Sequence, residues 1–185
     1  KLKWPHKAFS VPTDILNEWK KSSKRSTDVY KKWKIDFEKL SKKKRDEFER
    51  RISGNIPKKV NLLLSKFKKS SIKKPIDIAT RQASEMVINQ IAPIMPELVG
   101  GSADLTGSNN TKGNKVDVIN SKNYRGNYIY YGIREHGMAA IMNGLSLHKG
   151  IIPFGGTFLI FLDYCKPSLR LAALMKQRAI YILTH

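Results

Sequence analysis

The stretch Tyr131-Gly-Ile-Arg-Glu-His-Gly-Met-Ala-Ala-Ile-Met-Asn-Gly144 constrains the fold more than any other part of the chain. The apolar, aromatic run Tyr128-Ile-Tyr-Tyr131 precedes it and predicts a short buried strand that Gly132 ends. Apolar residues then recur at helical spacing from Met138 to Leu145, which predicts a helix. A strand, a tight turn and a helix therefore follow one another, and the turn or first helical turn carries Arg134 and Glu135. Open α/β sheets place their ligands at this end of a strand.

The same alternation continues through the second half of the chain. From residue 79 onward the pattern predicts helix, strand, helix, strand, helix, strand, with a long polar loop over 107–125. The strands are apolar throughout rather than alternating, as in a parallel sheet covered on both faces. Gly155-Gly156 is interpreted as a turn after a strand, Thr157 as the cap of the next helix, and Pro167 as a kink or break in that helix. The predicted fold class is an open, mostly parallel α/β domain.

The first 74 residues differ in composition and predict a basic helical segment. Thr13 is a candidate N-cap for a first helix, a second helix is expected to begin near Ser26 or Thr27, and Ser41 and Gly54 would bound a third. Residues 55–77 contain two prolines and Ser-Lys clusters, and they are interpreted as a connector with at most one short helix. The predicted domains are therefore 1–74, a helical tail and linker, and 75–185, the α/β domain.

The charge distribution suggests two classes of partner. Residues 1–80 contain 24 Lys and Arg against 9 Asp and Glu, a balance of +15, and the net charge of the whole chain is +20. Such a surface suits nucleic acid or anionic ligands. The lysines are scattered over all faces and no nucleic-acid motif accompanies them, which favours a solvated surface. One cysteine, Cys165, excludes an internal disulfide and favours a reducing, cytoplasmic compartment, and no apolar run is long enough to cross a membrane.

Four motifs resemble the transketolase family in order and spacing. They are Gly100-Gly-Ser-Ala-Asp-Leu-Thr-Gly-Ser-Asn-Asn-Thr111, Gly132-Ile-Arg-Glu-His-Gly-Met138, Gly155-Gly-Thr-Phe-Leu-Ile-Phe161 and Leu171-Ala-Ala-Leu-Met175. The resemblance is specific from about residue 79 onward and weaker before residue 75, where the chain is similar to the end of the family's diphosphate-binding domain and its linker. The chain corresponds to a middle portion of a transketolase.

The resemblance implies transfer of a two-carbon ketol unit from a ketose phosphate to an aldose phosphate through a carbanion of thiamine diphosphate. It also implies Mg²⁺, whose ligands would lie in an amino-terminal domain outside this chain, and a homodimer with the active site at the subunit interface. The piece alone is expected to be inactive. Dihydroxyacetone synthase and deoxyxylulose phosphate synthase are enzyme alternatives, and a basic nucleic-acid-binding protein is the alternative of another class.

The resemblance also assigns site residues. Glu135 matches the catalytic glutamate that hydrogen-bonds the pyrimidine ring of the cofactor. The other matches comprise three expected cofactor-binding residues and three expected to hold the sugar phosphate: Phe161, Phe158 and Asp104 for the cofactor, and Arg81, Ser108 and His185 for the substrate. No metal ligand is expected within the chain.

Overall fold

A computed structural model describes residues 3–184 of the chain. The chain divides into two compact units, one ending at Glu47 and one beginning at Phe48. No helix among the described residues has the length and apolar character required to cross a membrane.

The first unit is dominated by one long helix, α1 (Thr13–Glu38), where two helices were expected. Pro12 occupies the N-cap position, so the expectation that Thr13 caps the helix is wrong. The helix continues through Ser26, and the hydroxyl of Thr27 donates a 3.1 Å hydrogen bond to the carbonyl of Ser23. The side chain thus bonds back into the helix instead of capping a new one.

An aromatic stripe on α1 follows the predicted helical spacing. The rings of Tyr30 and Trp33 stack at 6.0 Å, and those of Trp33 and Phe37 stack at 5.3 Å. Tyr30 and Trp33 nevertheless remain 60% and 47% exposed in this chain. The stripe is therefore an ordered apolar face at the surface of its unit.

Helix α2 (Lys42–Ile52) ends where the sequence predicted. Gly54 follows it with φ of 72°, a left-handed conformation that glycine adopts without steric cost. Phe48 and Ile52, the apolar residues of this helix, are 40% and 36% exposed.

The expected connector over 55–77 is mostly a helix, α3 (Lys58–Lys73). Val60 on this helix is 4% exposed and packs in a core with Ile88 and Leu98. Composition alone suggested a linker because the exposed faces of α3 are rich in lysine and serine. The domain limits 1–74 and 75–185 stay a prediction.

The second unit is an open parallel α/β structure, which confirms the predicted fold class. Its four strands are β1 (Leu98–Ser102), β2 (Tyr128–Tyr130), β3 (Ile152–Phe158) and β4 (Ile180–Thr184). They form one sheet in the order β2-β1-β3-β4, with every pair parallel. The helices that accompany them are α3, α4 (Thr80–Ile91), α5 (Thr106–Asn109), α6 (Glu135–His148) and α7 (Leu162–Leu174).

The strand order defines a switch point. The chain leaves β1 to form β2 on one side and later returns to form β3 on the other side of β1. Loops at the carboxyl ends of β1 and β3 therefore diverge from each other. Ligands of open α/β sheets bind in the crevice that such a divergence creates.

Two glycine pairs lie inside strands, although the sequence suggested turns or loops. Gly155 and Gly156 belong to β3, and a Cβ atom on Gly155 would lie 2.5 Å from Sδ of Met142. Gly100 and Gly101 belong to β1, and a Cβ atom on Gly101 would lie 1.7 Å from the carbonyl oxygen of Ile129. Because Gly101 lacks a Cβ atom, β1 and β2 approach closely, and because Gly155 lacks one, α6 packs closely on β3.

The expected helix cap at Thr157 and the expected break at Pro167 are wrong, and a kink at Pro167 stays a prediction. Thr157 is a fully buried residue of β3 and caps no helix. A short 3₁₀ turn, Leu159–Phe161, precedes α7, and α7 runs through Pro167 without being divided. The ring of a proline inside a helix displaces the carbonyl of the residue four positions earlier. For Pro167 that carbonyl lies near the start of α7, close to the irregular 3₁₀ turn.

Candidate functional site

The turn after β2 presents Glu135 as the first residue of α6. Gly132 adopts φ of 68°, which reverses the chain directly after the strand. Nη1 of Arg134 donates a 3.0 Å hydrogen bond to the carbonyl of Tyr131, so its guanidinium braces the turn. Met138 is fully buried one turn into α6 and fixes the helix against the sheet. Glu135 itself is partly buried at this rigid junction.

Helix α7 contacts the first turn of α6 through two polar groups. Sγ of Cys165 donates a 3.3 Å hydrogen bond to the backbone carbonyl of Glu135. Burial raises the pKa of the Cys165 thiol, and the neighbouring Glu135 carboxylate raises it further. Nδ1 of His136 and Oγ of Ser168 lie 3.4 Å apart, which is a second polar contact between the two helices. Helix α7 therefore holds the start of α6, and with it the backbone of Glu135, in position.

The loop after β1 carries Asp104. Oγ of the buried Ser102 donates a 3.1 Å hydrogen bond to the carbonyl of Gly156 and accepts a 3.2 Å hydrogen bond from the N–H of Leu105. Asp104 has φ of 59°, a left-handed conformation that is uncommon for residues other than glycine. Its side chain is exposed. Such strained residues are frequent at ligand sites, where the surrounding contacts hold them.

An aromatic cluster follows β3. The rings of Phe158 and Phe161 stack at 5.8 Å with an interplanar angle of 27°, and the ring of Tyr164 lies 5.9 Å from that of Phe161. Phe158 is the last residue of β3, and Tyr164 is in the first turn of α7. The cluster gives the carboxyl edge of the sheet a flat apolar wall.

These three loops enclose a cavity of about 410 Å³ at the carboxyl edge. Its lining combines a carboxylate from each of two loops with apolar and aromatic side chains: Ala103, Asp104, Leu105, Ile133, Glu135, Phe161 and Tyr164. The volume lies within the range of small-molecule sites. The structure thus brings together three predicted residues, Glu135, Phe161 and Asp104, and Phe158 stacks on the second of them.

The predicted phosphate-binding residues do not line this cavity. Arg81 is partly buried in the first turn of α4, and Ser108 is exposed on α5. A hydrogen bond of 2.7 Å from Nδ2 of Asn110 to Oε2 of Glu85 ties these two elements together. Arg81 precedes Glu85 by one helical turn, so the two residues share a face of α4. His185 lies outside the described residues.

Four cavity residues were missed by the sequence analysis: Ala103, Leu105, Ile133 and Tyr164. Ile133 is 80% exposed within the turn that precedes Glu135, and Tyr164 follows Phe161 by three residues. The spacing of Tyr164 was the available signal, since residues three apart on a helix share a face. Among residues 3–184, no group of three or more His, Cys, Asp or Glu is arranged to hold a metal ion.

The fold and the site define a class. A parallel α/β domain holds a carboxylate, at a helix start, beside stacked phenylalanines in a cleft at the switch point of its sheet. The class is therefore that of parallel α/β domains with a small-molecule cleft at the carboxyl edge of the sheet.

Comparison with known proteins specifies the class. Residues 76–185 match the family model of the transketolase pyrimidine binding domain, and residues 1–57 match that of the transketolase thiamine diphosphate binding domain. The chain belongs to the transketolase family.

Three relatives illustrate the similarity. A transketolase of Sinorhizobium medicae is 44% identical over 185 residues, which cover 100% of this chain and 26% of the relative. The solved transketolase of Leishmania mexicana is 35% identical with a TM-score of 0.83, over 98% of this chain and 27% of that one. A Pichia stipitis transketolase variant solved with fructose 6-phosphate is 31% identical with a TM-score of 0.83, over 98% and 28% of the two chains. The chain thus spans about a quarter of the length of these relatives.

Proposed function

We propose that this chain supplies the pyrimidine-binding part of an active site that transfers a two-carbon ketol unit from a ketose phosphate to an aldose phosphate. The observation that carries the proposal is the position of Glu135. It opens α6 at the carboxyl edge of the sheet and lines one cavity with Phe161 and Asp104. Membership of the transketolase family supports the same reaction.

The cavity fits the pyrimidine ring of thiamine diphosphate in three respects. Its volume is about 410 Å³, the ring of Phe161, on which Phe158 stacks, provides a flat wall, and a carboxyl group is available for a ring nitrogen. Aromatic rings prefer such offset stacking partners. When bound, the cofactor supplies a nucleophilic carbon and an electron sink. Phe161 and Phe158 would orient the ring, and Asp104 would order the loop beside it.

Glu135 would hold a proton between its carboxyl group and the ring nitrogen of the cofactor. Apolar side chains line the cavity around this carboxyl group, so a hydrogen bond to a ring nitrogen would form with little competition from water. The contacts from Cys165 and Arg134 keep the junction rigid, so that the carboxyl group requires no rearrangement to act.

Arg81 and Ser108 would hold the phosphate of the sugar, with His185 as a third residue. A guanidinium gives a permanently charged, two-pronged grip on phosphate, and a hydroxyl adds a donor. The Pichia stipitis relative that was solved with fructose 6-phosphate supports a sugar phosphate as the substrate class.

The remaining parts of the proposal concern the assembly. We infer a cytoplasmic homodimer whose subunits share the active site, with Mg²⁺ and the diphosphate held outside the described residues. The domains would comprise residues 1–74 and 75–185. The 185-residue chain alone should therefore show no turnover with a ketose phosphate donor and an aldose phosphate acceptor. Substantial turnover by the purified chain would refute the need for further parts.

A chimera tests the role of Glu135 directly. Residues 1–185 would replace the matching segment of the Sinorhizobium medicae relative, which is 44% identical over this length. The chimera should gain thiamine-dependent ketol transfer, and Glu135→Gln should lower its kcat by at least about a hundredfold. Asp163→Asn is the matched control, because Asp163 is an exposed carboxylate in the first turn of α7.

The same chimera tests the phosphate residues. Arg81→Gln should raise KM for the sugar phosphate by about tenfold or more and change kcat little, since it removes a binding contact remote from the reacting carbon.

A folded chimera in which Glu135→Gln retains full activity would overturn the proposal. A panel of acceptors would separate transketolase from dihydroxyacetone synthase activity.

A further inference from the structure

A second cavity, of about 310 Å³, lies at the opposite, amino-terminal edge of the sheet. The segments that form it precede β1, β3 and β4, and Arg51 to Asn55 complete the rim. The proposed ketol-transfer site lies at the carboxyl edge of the same strands. The features of this second cavity therefore need their own explanation.

The lining of this cavity is strongly cationic. Its charged side chains are four cations and one carboxylate, namely Arg51, Lys149, Lys176, Arg178 and Glu97. The carboxylate is already neutralised, because Oε1 of Glu97 lies 2.7 Å from Nη1 of Arg50 and Oε2 lies 3.9 Å from Nε of Arg51. The side chain of Glu97 is only 2% exposed, so the accessible part of the cavity presents cations.

Both lysines occupy backbone conformations that are costly for them. Lys149 has φ of 67° and ψ of 168°, a region that essentially only glycine adopts. Lys176 has φ of 53°, in the left-handed region. Glycine at either position would relieve the strain. Two lysines thus line one cavity at positions where the backbone favours glycine.

Helix ends explain part of this pattern and leave the rest unexplained. Lys149 follows α6 and Lys176 lies two residues after α7, and cations are favourable near the carbonyls at a helix C-terminus. A lysine in the last helical turn would give the same benefit without a positive φ. The helix-end effect therefore accounts for the charge but not for the strained positions.

Neutral donors and one fixed guanidinium complete the cavity. Nη1 of Arg178 donates a 2.9 Å hydrogen bond to the carbonyl of Gly54, which orients its remaining N–H groups. Ser53, Asn55 and Gln177 also line the cavity. A guanidinium, ammonium groups and amide donors around a small concavity suit the oxygens of phosphate.

We propose that this amino-edge cavity binds a small, multiply charged phosphate compound. The volume of about 310 Å³ suits a small molecule and is too confined for a nucleic-acid strand to be held within it. The charges of Lys149 and Lys176, held at a cost in backbone strain, provide most of the recognition. The site is separate from the sugar phosphate site proposed around Arg81 and Ser108.

The experiment is a calorimetric titration of the 185-residue chain with inorganic pyrophosphate, inorganic phosphate and a sugar bisphosphate at low salt. Lys149→Gly and Lys176→Gly should each weaken pyrophosphate binding by about tenfold or more, since each removes a charged donor. The same substitutions should leave the melting temperature without ligand unchanged or higher, because glycine relieves the strain. Loss of binding together with higher stability cannot arise from misfolding. Preference for the bisphosphate over free phosphate and pyrophosphate would identify an organic phosphate as the ligand.

Lys122→Gly is the matched control, because it removes one exposed lysine from the polar loop. It should bind pyrophosphate like the unchanged chain. Equal weakening by all three substitutions would show a diffuse surface effect and overturn the proposal. Stronger binding of a single-stranded oligonucleotide, equally sensitive to all three changes, would also overturn it. Absence of measurable pyrophosphate binding to a folded chain would do the same.

Discussion

Sγ of Cys165 lies 3.3 Å from the backbone carbonyl oxygen of Glu135 and donates a hydrogen bond to it. The contact joins the first turn of α7 to the first residue of α6. The thiol is fully buried, and the Glu135 carboxylate raises its pKa in addition to the effect of burial. The pKa of the Cys165 thiol therefore depends on the charge of Glu135.

The first prediction concerns the ionisation of this thiol. Burial and the Glu135 carboxylate both raise the pKa of Cys165, so titration of the thiol in the native chain should have a midpoint above the ordinary value of about 8.5. Glu135→Gln should shift the titration profile toward lower pH. Asp163→Asn should leave it unchanged. The measurement is the NMR chemical shift of the Cys165 Cβ carbon as a function of pH, which follows a buried thiol without a reagent having to reach it. An identical profile in Glu135→Gln would refute the coupling.

The second prediction concerns alkaline stability. Burial raises the pKa of Tyr131 to about 12, and its hydroxyl has no hydrogen-bond partner among the described residues. In the unfolded chain this phenol ionises near pH 10, whereas in the native chain it stays protonated up to about pH 12. The free energy of unfolding should therefore fall as the pH rises from about 10 toward 12. Tyr131→Phe should make this fall smaller and add about 1 kcal/mol to the free energy of unfolding at neutral pH, since it removes an unsatisfied buried hydroxyl.

Urea unfolding at a series of pH values measures this effect. Tyr124→Phe is a suitable control because Tyr124 is 78% exposed. A Tyr131→Phe variant that is less stable than the unchanged chain at pH 7 would show that the hydroxyl makes a bond that the prediction omits.

The third prediction compares two glycines. Gly101→Ala would place a Cβ atom 1.7 Å from the carbonyl oxygen of Ile129, which belongs to the backbone of the sheet and cannot move aside. The cost should reach about 3 kcal/mol or more, through overpacking. Gly144→Ala in α6 meets nothing within 4 Å and should stabilise the chain by about 0.5–1 kcal/mol through helix propensity. Chemical unfolding of both variants checks the opposite signs, and a neutral Gly101→Ala would contradict the packing.

The parts of the fold that the sequence predicted correctly depend on local patterns. The strand at Tyr128, the reversal at Gly132 and the helix through Met138 follow from an apolar run, one glycine and a 3.6-residue period. The position of Glu135 at the start of α6 follows from these three signals together. Periodicity is reliable here because the residues concerned are buried on one side only.

The parts that the sequence analysis missed depend on tertiary contacts. Gly155 and Gly156 resemble a turn in sequence, but the strand continues through them because Met142 and Thr111 pack where side chains would be. The prolines and Ser-Lys clusters of residues 55–77 predicted a connector, whereas packing of Val60 in the core accompanies helix α3. Tyr164 joins the cavity beside Phe161, and its ring contact with Phe161 depends on the 3₁₀ turn before α7, which the sequence analysis did not predict.

The position of β4 at the border of the sheet has a practical consequence. It pairs with β3 on one side, no described strand pairs with it on the other, and Ile180 is 41% exposed. An apolar ribbon with an open hydrogen-bonding side invites edge-to-edge association between molecules. The net charge of +20 opposes such association through mutual repulsion. The isolated chain should therefore stay dispersed in dilute buffer and precipitate as added electrolyte screens that repulsion.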